Sequence, residues 1–571
     1  MAESSAVDEP TVQAIPTPPT FPVAWACESE AKRFWIQGAA NFPTSLTPLD
    51  FTFLVKAVEG GSNLAAAHYG SPDRGLFKLI NTYAYFTVES PPDAPEVRAK
   101  RQAAVDQVEN DTVTTGQRWT EDWLPEIQEQ LAFWDAFDLD GASAHALIAH
   151  LDGTEQRLLR AWEIHFLLIN PVLLALHLFE EMHEDLFPDV PALSAHELLL
   201  GFDNKTVEGN RHLAALVRQA RDRKEIRQAL VLEDDEAVVA ALMTTTTGQA
   251  FHKELQAYLA LYGQRSNSQT LHKPAWLEAP GPVFQDIRAG LMAEESAVSS
   301  LDVLATRREE RLAQVRQELA GHPPFVVAKF EELLSCAQTA QQLSEDHNYW
   351  IDIQVTYRIR RICLAIARRL VAAGKIDREQ EVFYLTLDEL RHAASGAAPD
   401  GLRDLISERQ AEVRRFESEV PPPVLGTPPT PEDMAAQDNA LARAYGKMAG
   451  GSVPSAGDTD ERVLRGFGVS SGKAKGPVKV VINVEEAAEK LRPGDVLVTE
   501  MITSFWIPLF PRIAGMITMR GGMLSHGAVV AREHGLPAIS GVEGVTSILN
   551  DGQWIELDAD AGEVRVLEKG E

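Results

Sequence analysis

RGGMLSHGAVVAREHGLPAISGV, residues Arg520 to Val542, is the stretch from which the chain is best read. A glycine pair, Gly521 and Gly522, and a Ser-His step lead into His526 to His534, where good helix formers place Val529, Val530 and Glu533 at helical spacing. Ser525 is set to be the N-cap, Gly535 supplies a left-handed stop and Pro537 forbids continuation. First-turn amides have no partners inside a helix and the dipole is positive at that end, so an anion in front of His526 meets several donors. The two glycines allow backbone amides to converge and leave room for a tetrahedral group. An imidazole with a pKa of about 6.5 is largely neutral at pH 7, which makes His526 a candidate nucleophile toward phosphorus. Taken alone, the Ser-His pair also reads as a simple cap and a polar first-turn residue.

Outward from this segment the pattern is α/β. Apolar runs at Val478 to Val484, Asp495 to Glu500 and Gly515 to Met519 alternate with helical stretches at Val484 to Leu491 and His526 to His534. The closing ILNDGQWIELDADAGEVRVL alternates around turns at Asp551-Gly552 and Ala561-Gly562. Before residue 420 almost nothing alternates with period two. Helical spacing recurs instead, at about Glu155 to Asn170, Pro171 to Leu186, Arg211 to Glu225, Arg307 to Ala320 and Asp346 to Ala373. The expected architecture is therefore multidomain: a disordered start over residues 1–25, a large, mainly α domain over 26–419, a Pro/Gly-rich linker over 420–460, and a C-terminal α/β domain over 461–571. A linker of about 40 residues reaches over 100 Å at roughly 3.3 Å per residue, which suits a domain that swings and equally a passive spacer.

Composition is that of a large globular chain, with 45% hydrophobic and 24% charged residues among 571. The start, MAESSAVDEPTVQ, is acidic and polar and no run of about 18 apolar residues stands out, so neither a membrane span nor a secretory signal is expected. Cys27, Cys336 and Cys363 are widely spaced and read as reduced core thiols, in keeping with a cytoplasmic location. A net charge of −30 argues against nucleic acid as a partner. It also repels nucleotides at long range, so a nucleotide site must be locally basic or lie on another subunit.

The segment around His526 resembles the phosphohistidine motif of the swivelling domain shared by PEP-utilising enzymes such as pyruvate phosphate dikinase, phosphoenolpyruvate synthase, rifampin phosphotransferase and phenylphosphate synthase. The resemblance rests on Gly521, Gly522, Met523, Ser525, His526, the run Ala528 to Glu533, Gly535, Pro537 and Ala538. Upstream it takes in Pro493 to Val498, Trp506, Pro508 and the loop Gly468 to Gly472. It implies that His526 is phosphorylated and shuttles between two active sites, with Gly521, Gly522 and Ser525 binding phosphate. Two departures stand out. Leu524 replaces the regulatory threonine of the dikinases, and Arg520 replaces a threonine or glutamate, as a phosphate ligand or as a solvated charge.

The helical region is similar to the middle domain of the rifampin phosphotransferases in NFPTSLTPLDF (Asn41 to Phe51), LLLGFDNKTVEGN (Leu198 to Asn210) and GKIDREQEVFYLTLDEL (Gly374 to Leu390). The resemblance implies that this region binds the acceptor of the phosphoryl group. In SEDHNYWIDIQ, Ser344 to Gln354, His347 with Asp352 is the candidate base for the acceptor hydroxyl, and Tyr349 and Trp350 are candidates to line its pocket; packing and capping are the alternative reading. Glu180 and His183 have the spacing of a di-iron ligand pair, but a second Glu-x-x-His copy is missing, so no metal is expected in this chain.

Two parts of the family machine have no counterpart in the sequence: the ATP-grasp domain and the pyruvate-binding barrel. GFGVSSGKAKG, around Gly472, is not a Walker loop, because the glycine gap is wrong and Ala474 stands where Ser or Thr would bind magnesium. By resemblance to phenylphosphate synthase, a separate ATP-grasp subunit binds ATP and Mg2+ and charges His526, releasing AMP and phosphate. The chain then delivers the phosphoryl group to a small hydrophobic or aromatic alcohol or phenol, as in aromatic degradation. A phosphorylatable regulatory protein and a pseudoenzyme scaffold are the alternatives.

Overall fold

A computed structural model describes residues 14–39, 41–191, 193–292, 301–397, 401–450, 463–482, 484–502, 506, 509–510 and 512–567. The chain divides into two compact units, each drawn from several stretches of sequence. The first takes residues 1–104, 139–163 and 362–439; the second takes 105–138, 164–361 and 440–571. The N-terminal region is mostly helical and the C-terminal region is a sheet domain.

The first unit holds helices around a four-stranded antiparallel sheet that helical spacing did not reveal. Its strands are β1 (Phe34–Gln37), β2 (Arg74–Ile80), β3 (Tyr83–Glu89) and β4 (Val424–Gly426), in the order β2-β3-β1-β4. Ile80 pairs with Tyr83, so Asn81 and Thr82 alone form the turn, at φ 48° and 69°. Both central residues at positive φ match the twist of a two-residue hairpin. One face buries Trp35, Tyr83, Tyr85 and Leu425 against Phe21 and Phe416.

β4 lies inside the stretch expected to be a linker. It pairs with β1 through Trp35 and Leu425, and it is followed by helices at Pro431–Gln437 and Ala440–Ala449. Within 420–449, Pro423 directly precedes β4, and Pro431 opens a helix directly after the capping Thr430. Residues 451–460 of that stretch lie outside the described residues, as does Pro508.

In the second unit the key helical elements are Lys205–Asp222, Pro324–His347 and the later part of Ala144–Leu186. Ala144–Leu186 passes through Pro171 as one helix where two were expected. An interior proline costs about 3 kcal/mol, and burial of Leu168, Val172, Leu173, Leu174 and Leu176 around it outweighs that. This helix is long and apolar enough to cross a membrane by length and composition, but 78% of its most apolar window is buried within the protein, as in a core helix. Pro324–His347 runs into a π-helical turn, Asn348–Ile353, before Gln354–Ala372 continues. A π turn rotates side chains out of α register and is frequent at functional sites.

The second unit also contains an eight-stranded sheet. It is built from β5 (Val463–Arg465), β6 (Phe467–Ser470), β7 (Lys473–Val480), β8 (Asp495–Thr499), β9 (Ile513–Thr518), β10 (Ala538–Ser540), β11 (Trp554–Asp558) and β12 (Glu563–Val566), in the order β5-β12-β11-β7-β8-β9-β10-β6. β7, β8, β9 and β10 pair in parallel and the outer strands antiparallel. Both faces are covered. Leu497, Met516 and Ala538 enter one core, and Val496, Val498, Ile517 and Ile539 enter the other. Strands buried on two sides read as continuous apolar runs, which is why these were legible. The helix His526–His534 connects β9 to β10 and is buried almost all round.

Candidate active site

Ser525 caps the helix that begins at His526. Its Oγ accepts from the Ala528 amide, and Gly535 ends the helix at φ +62°. The imidazole at the helix start faces the helix Pro324–His347. His526 Nδ1 lies 3.1 Å from Oε1 of Glu345, whose side chain has no exposed surface. A carboxylate only accepts, so Nδ1 carries the proton and Nε2 keeps its lone pair. The second oxygen of Glu345 accepts from Thr206 Oγ1 at 2.9 Å. Burial opposes the charged form of His526, but the bond and charge of Glu345, helped by Asp352, raise its pKa above the ordinary imidazole value. Burial likewise opposes ionised Glu345, yet His526 and Thr206 hold its pKa below the usual carboxylate range. The ring keeps 35% of its surface open.

Three neighbours on the same helix are held from the segment LLLGFDNKTVEGN and from β6 and the glycine loop of the sheet domain. Asn204 Nδ2 donates to Glu533 at 3.4 Å, and Asn210 lies 3.4 Å from His534 Nε2. Arg532 donates to the carbonyls of Val469 and Met523, both at 2.9 Å. Burial pushes the Glu533 carboxyl up to about 8 and draws His534 down to about 4, so both are neutral around pH 7.

The glycine loop does not present a bare anion cradle. Gly521, Gly522 and Leu524 donate their amides to the carbonyls of Ala449, Met448 and Lys447 at 3.0, 3.3 and 3.2 Å. These carbonyls end the helix Ala440–Ala449 and lack partners within it. The loop and helix end thus satisfy one another, and phosphate binding by these glycines requires that contact to open. A Cβ on Gly522 would sit 2.0 Å from the Lys447 oxygen, which explains the glycine. Arg520, the other expected phosphate ligand, pairs with Glu500 at 3.1 Å. The helix Ala440–Ala449 is anchored by Tyr445 to Asn170 at 2.6 Å and by Lys447 to Glu180 at 2.7 Å. Despite its burial, Glu180 is held down at about 2 by His196 and Lys447. His196 is itself buried and held low, so Lys447 is the countercharge. His183, the other member of that spacing, packs its ring against Phe179 and Phe187.

Asp352 accepts from His165 Nδ1 at 3.0 Å, and the His165 and His347 rings meet at 4.8 Å. His347 differs from the expected base. It is fully buried, its Nδ1 donates to the Leu343 carbonyl at 2.7 Å, and burial draws its pKa to about 4. Asp352 remains ionised because His165 outweighs its burial. The geometry of a base oriented by a carboxylate belongs to His165. Ligand atoms of His165, His347 and Asp352 lie within 4.8 Å of one another, and this is where a divalent cation would fit among the described residues. Tyr349 and Trp350 do not line a pocket with Asp352. Tyr349 is buried in a core cluster with Tyr258, Tyr262 and Trp276, its hydroxyl donates to Leu261 at 2.8 Å, and Trp350 packs on the same cluster. The cysteine reading needs one change: Cys336 and Cys363 are buried, Cys27 is exposed.

Glu345 and Thr206 were missed as site residues, and His165 stood out in sequence only as one of a histidine group with His177 and His183. Glu345 stands two residues before His347 in a segment already singled out, but its partner is 181 residues away in sequence.

Residues 491–562 match the family model of the PEP-utilising enzyme mobile domain, and residues 165–345 match that of the rifampicin phosphotransferase fourth domain. His526 falls in the first match and Glu345 closes the second. The chain thus joins a PEP-utilising enzyme mobile domain to a rifampicin phosphotransferase fourth domain. Among individual relatives, chondramide synthase cmdD of Chondromyces crocatus is 38% identical over 97% of this chain, which spans 14% of that synthase. The uncharacterized phosphotransferase YvkC of Bacillus subtilis is 24% identical over 95% of this chain and is spanned over 63% of its length. Rifampicin phosphotransferase of Streptomyces sviceus is 28% identical over 64% of this chain, which spans 40% of it.

Proposed function

We propose that the chain is a phosphotransferase that stores a phosphoryl group on Nε2 of His526 and passes it to the hydroxyl of a small acceptor, an alcohol or phenol. The observation that carries this reading is the His526–Glu345 pair: Nδ1 is committed to a buried carboxylate, so the free nitrogen is the nucleophilic one. When Nε2 takes the phosphoryl group the ring becomes cationic, and Glu345 balances that charge. In the second step the acceptor oxygen bonds to phosphorus, the N–P bond breaks, and the hydroxyl proton passes to His165, oriented by Asp352.

The donor site lies on another polypeptide or domain that holds ATP and Mg2+ by an ATP-grasp fold, with AMP and phosphate as co-products. Size supports this reading. The chain spans 40% of the Streptomyces rifampicin phosphotransferase, so most of that polypeptide has no counterpart in these 571 residues.

Treating the full chain with phosphoramidate, a small phosphoryl donor to imidazoles, tests the carrier role without the partner. Acid-labile, alkali-stable phosphate on His526 by mass spectrometry is expected. Labelling that persists in His526→Ala, or sits on other histidines only, would overturn the reading.

A further inference from the structure

Beside the His165–Asp352 pair, Asp352 forms one wall of a small cavity that also meets Arg265, Ser268, Gln269 and Thr356. Arg265 and Gln269 are 8% and 7% exposed. Arg265 Nε and Gln269 Nε2 nevertheless have no hydrogen-bond partner. The Arg265 guanidinium lies over the Trp276 ring at 5.5 Å. A buried donor left unmade is costly, more so when it is charged, so two such donors on residues that line one cavity mark a place for an acceptor-rich group. The space, about 20 Å³, takes a group of water or carboxylate-oxygen size.

The cavity is two-sided: donors from Arg265 and Gln269, and the Asp352 carboxylate that orients His165. Asp352 is also near enough to His526 to influence its charge. Building on the carrier role of His526, we infer that the Arg265–Gln269 wall is a subsite for a carboxylate on the acceptor, which makes the acceptor a hydroxy carboxylic acid. One carboxylate oxygen enters the space and fills the open donors of Arg265 and Gln269, while the rest of the molecule stays outside it with its hydroxyl on the side of His165 and Asp352. Arginine is suited to this because its fork meets a carboxylate bidentately.

The test is calorimetric titration of the full chain with benzoate and acetate as head-group probes and benzamide as the neutral isostere. Benzoate or acetate is expected to bind, and benzamide to bind at least roughly 10-fold more weakly, in line with a charge-assisted pair. Arg265→Gln should weaken the anion by a similar factor. Gln269→Glu, which supplies Arg265 with an internal carboxylate, should abolish binding and raise the melting temperature. His526→Ala should bind the probes normally. Neither anion binding, equal affinity for benzamide, or affinity unchanged in Arg265→Gln would each overturn the subsite, leaving ordered water as the partner of the two donors. Normal phosphoramidate labelling in Arg265→Gln separates this failure from failure of the carrier reading.

Discussion

Glu345 meets the imidazole of His526 from a position with no contact to solvent, 3.1 Å from Nδ1. A buried carboxylate left without that partner would carry an uncompensated charge, so the two groups define one another's protonation. The arrangement fixes the tautomer and sharpens the basicity of Nε2.

Glu345→Gln therefore removes the charge and keeps the shape. Labelling of His526 by phosphoramidate should slow on the order of 10- to 100-fold. Because Glu345 raises the His526 pKa, the acidic limb of the rate profile should move to lower pH in the variant. Rate against pH measures both, and an unmoved limb would remove Glu345 from its role.

The same pair makes stability depend on pH in a defined window. His526 has a raised pKa, so its contribution is full below about 6.5, the unfolded value, and is lost as pH rises through the folded one. Glu345 has a lowered pKa, so its contribution is present above about 4.3 and is lost as pH falls through the folded value. The melting-temperature gap between the native chain and Glu345→Gln should be widest between these limits and narrow on either side.

His165 and His347 separate by the step they affect. His165→Asn should leave charging of His526 intact and slow discharge to acceptor by roughly 10²–10⁴-fold, the usual worth of a positioned base. His347→Gln, altering a buried ring already bonded to a backbone carbonyl, should lower the melting temperature and leave the pH dependence of discharge unchanged. Single-turnover decay of phosphorylated chain measures the difference.

Local chemistry was legible and long-range chemistry was not. The helix at His526 could be read because Ser525, Gly535 and Pro537 act within a few residues. The two-sided burial of β8 and β9 left continuous apolar runs that name themselves. The hairpin of β2 and β3 stayed hidden because its turn is Asn81-Thr82, without the glycine that advertises such turns, and because β3 buries Tyr83, Ala84 and Tyr85 in succession. Glu345 could not be matched to His526 by any spacing rule, and the Gly521–Gly522 loop was read as open because the carbonyls that fill it come from Lys447 to Ala449.

Lys447 supplies the positive charge that keeps buried Glu180 ionised. The Glu180 pKa is depressed to about 2, so its contribution is present above the ordinary value and is lost as pH falls toward 2. Lys447→Met should cost about 2–4 kcal/mol at neutral pH, because a buried charge loses its partner. The acid-unfolding midpoint, followed by circular dichroism, should move to higher pH.

Gly522 is the most direct handle on the contact between the glycine loop and the helix Ala440–Ala449. A methyl group there meets the Lys447 carbonyl at 2.0 Å, a distance that backbone atoms relieve only by moving apart. Separation would also break the amide bonds from Gly521, Gly522 and Leu524 to the helix end. Gly522→Ala should therefore destabilise by roughly 1–3 kcal/mol, as overpacking does, and speed proteolytic cleavage within residues 440–450. If the loop amides receive phosphate once that contact opens, the variant should also label His526 no more slowly than the native chain. Slower labelling together with intact protection from protease would mean that the methyl group blocks the phosphate itself.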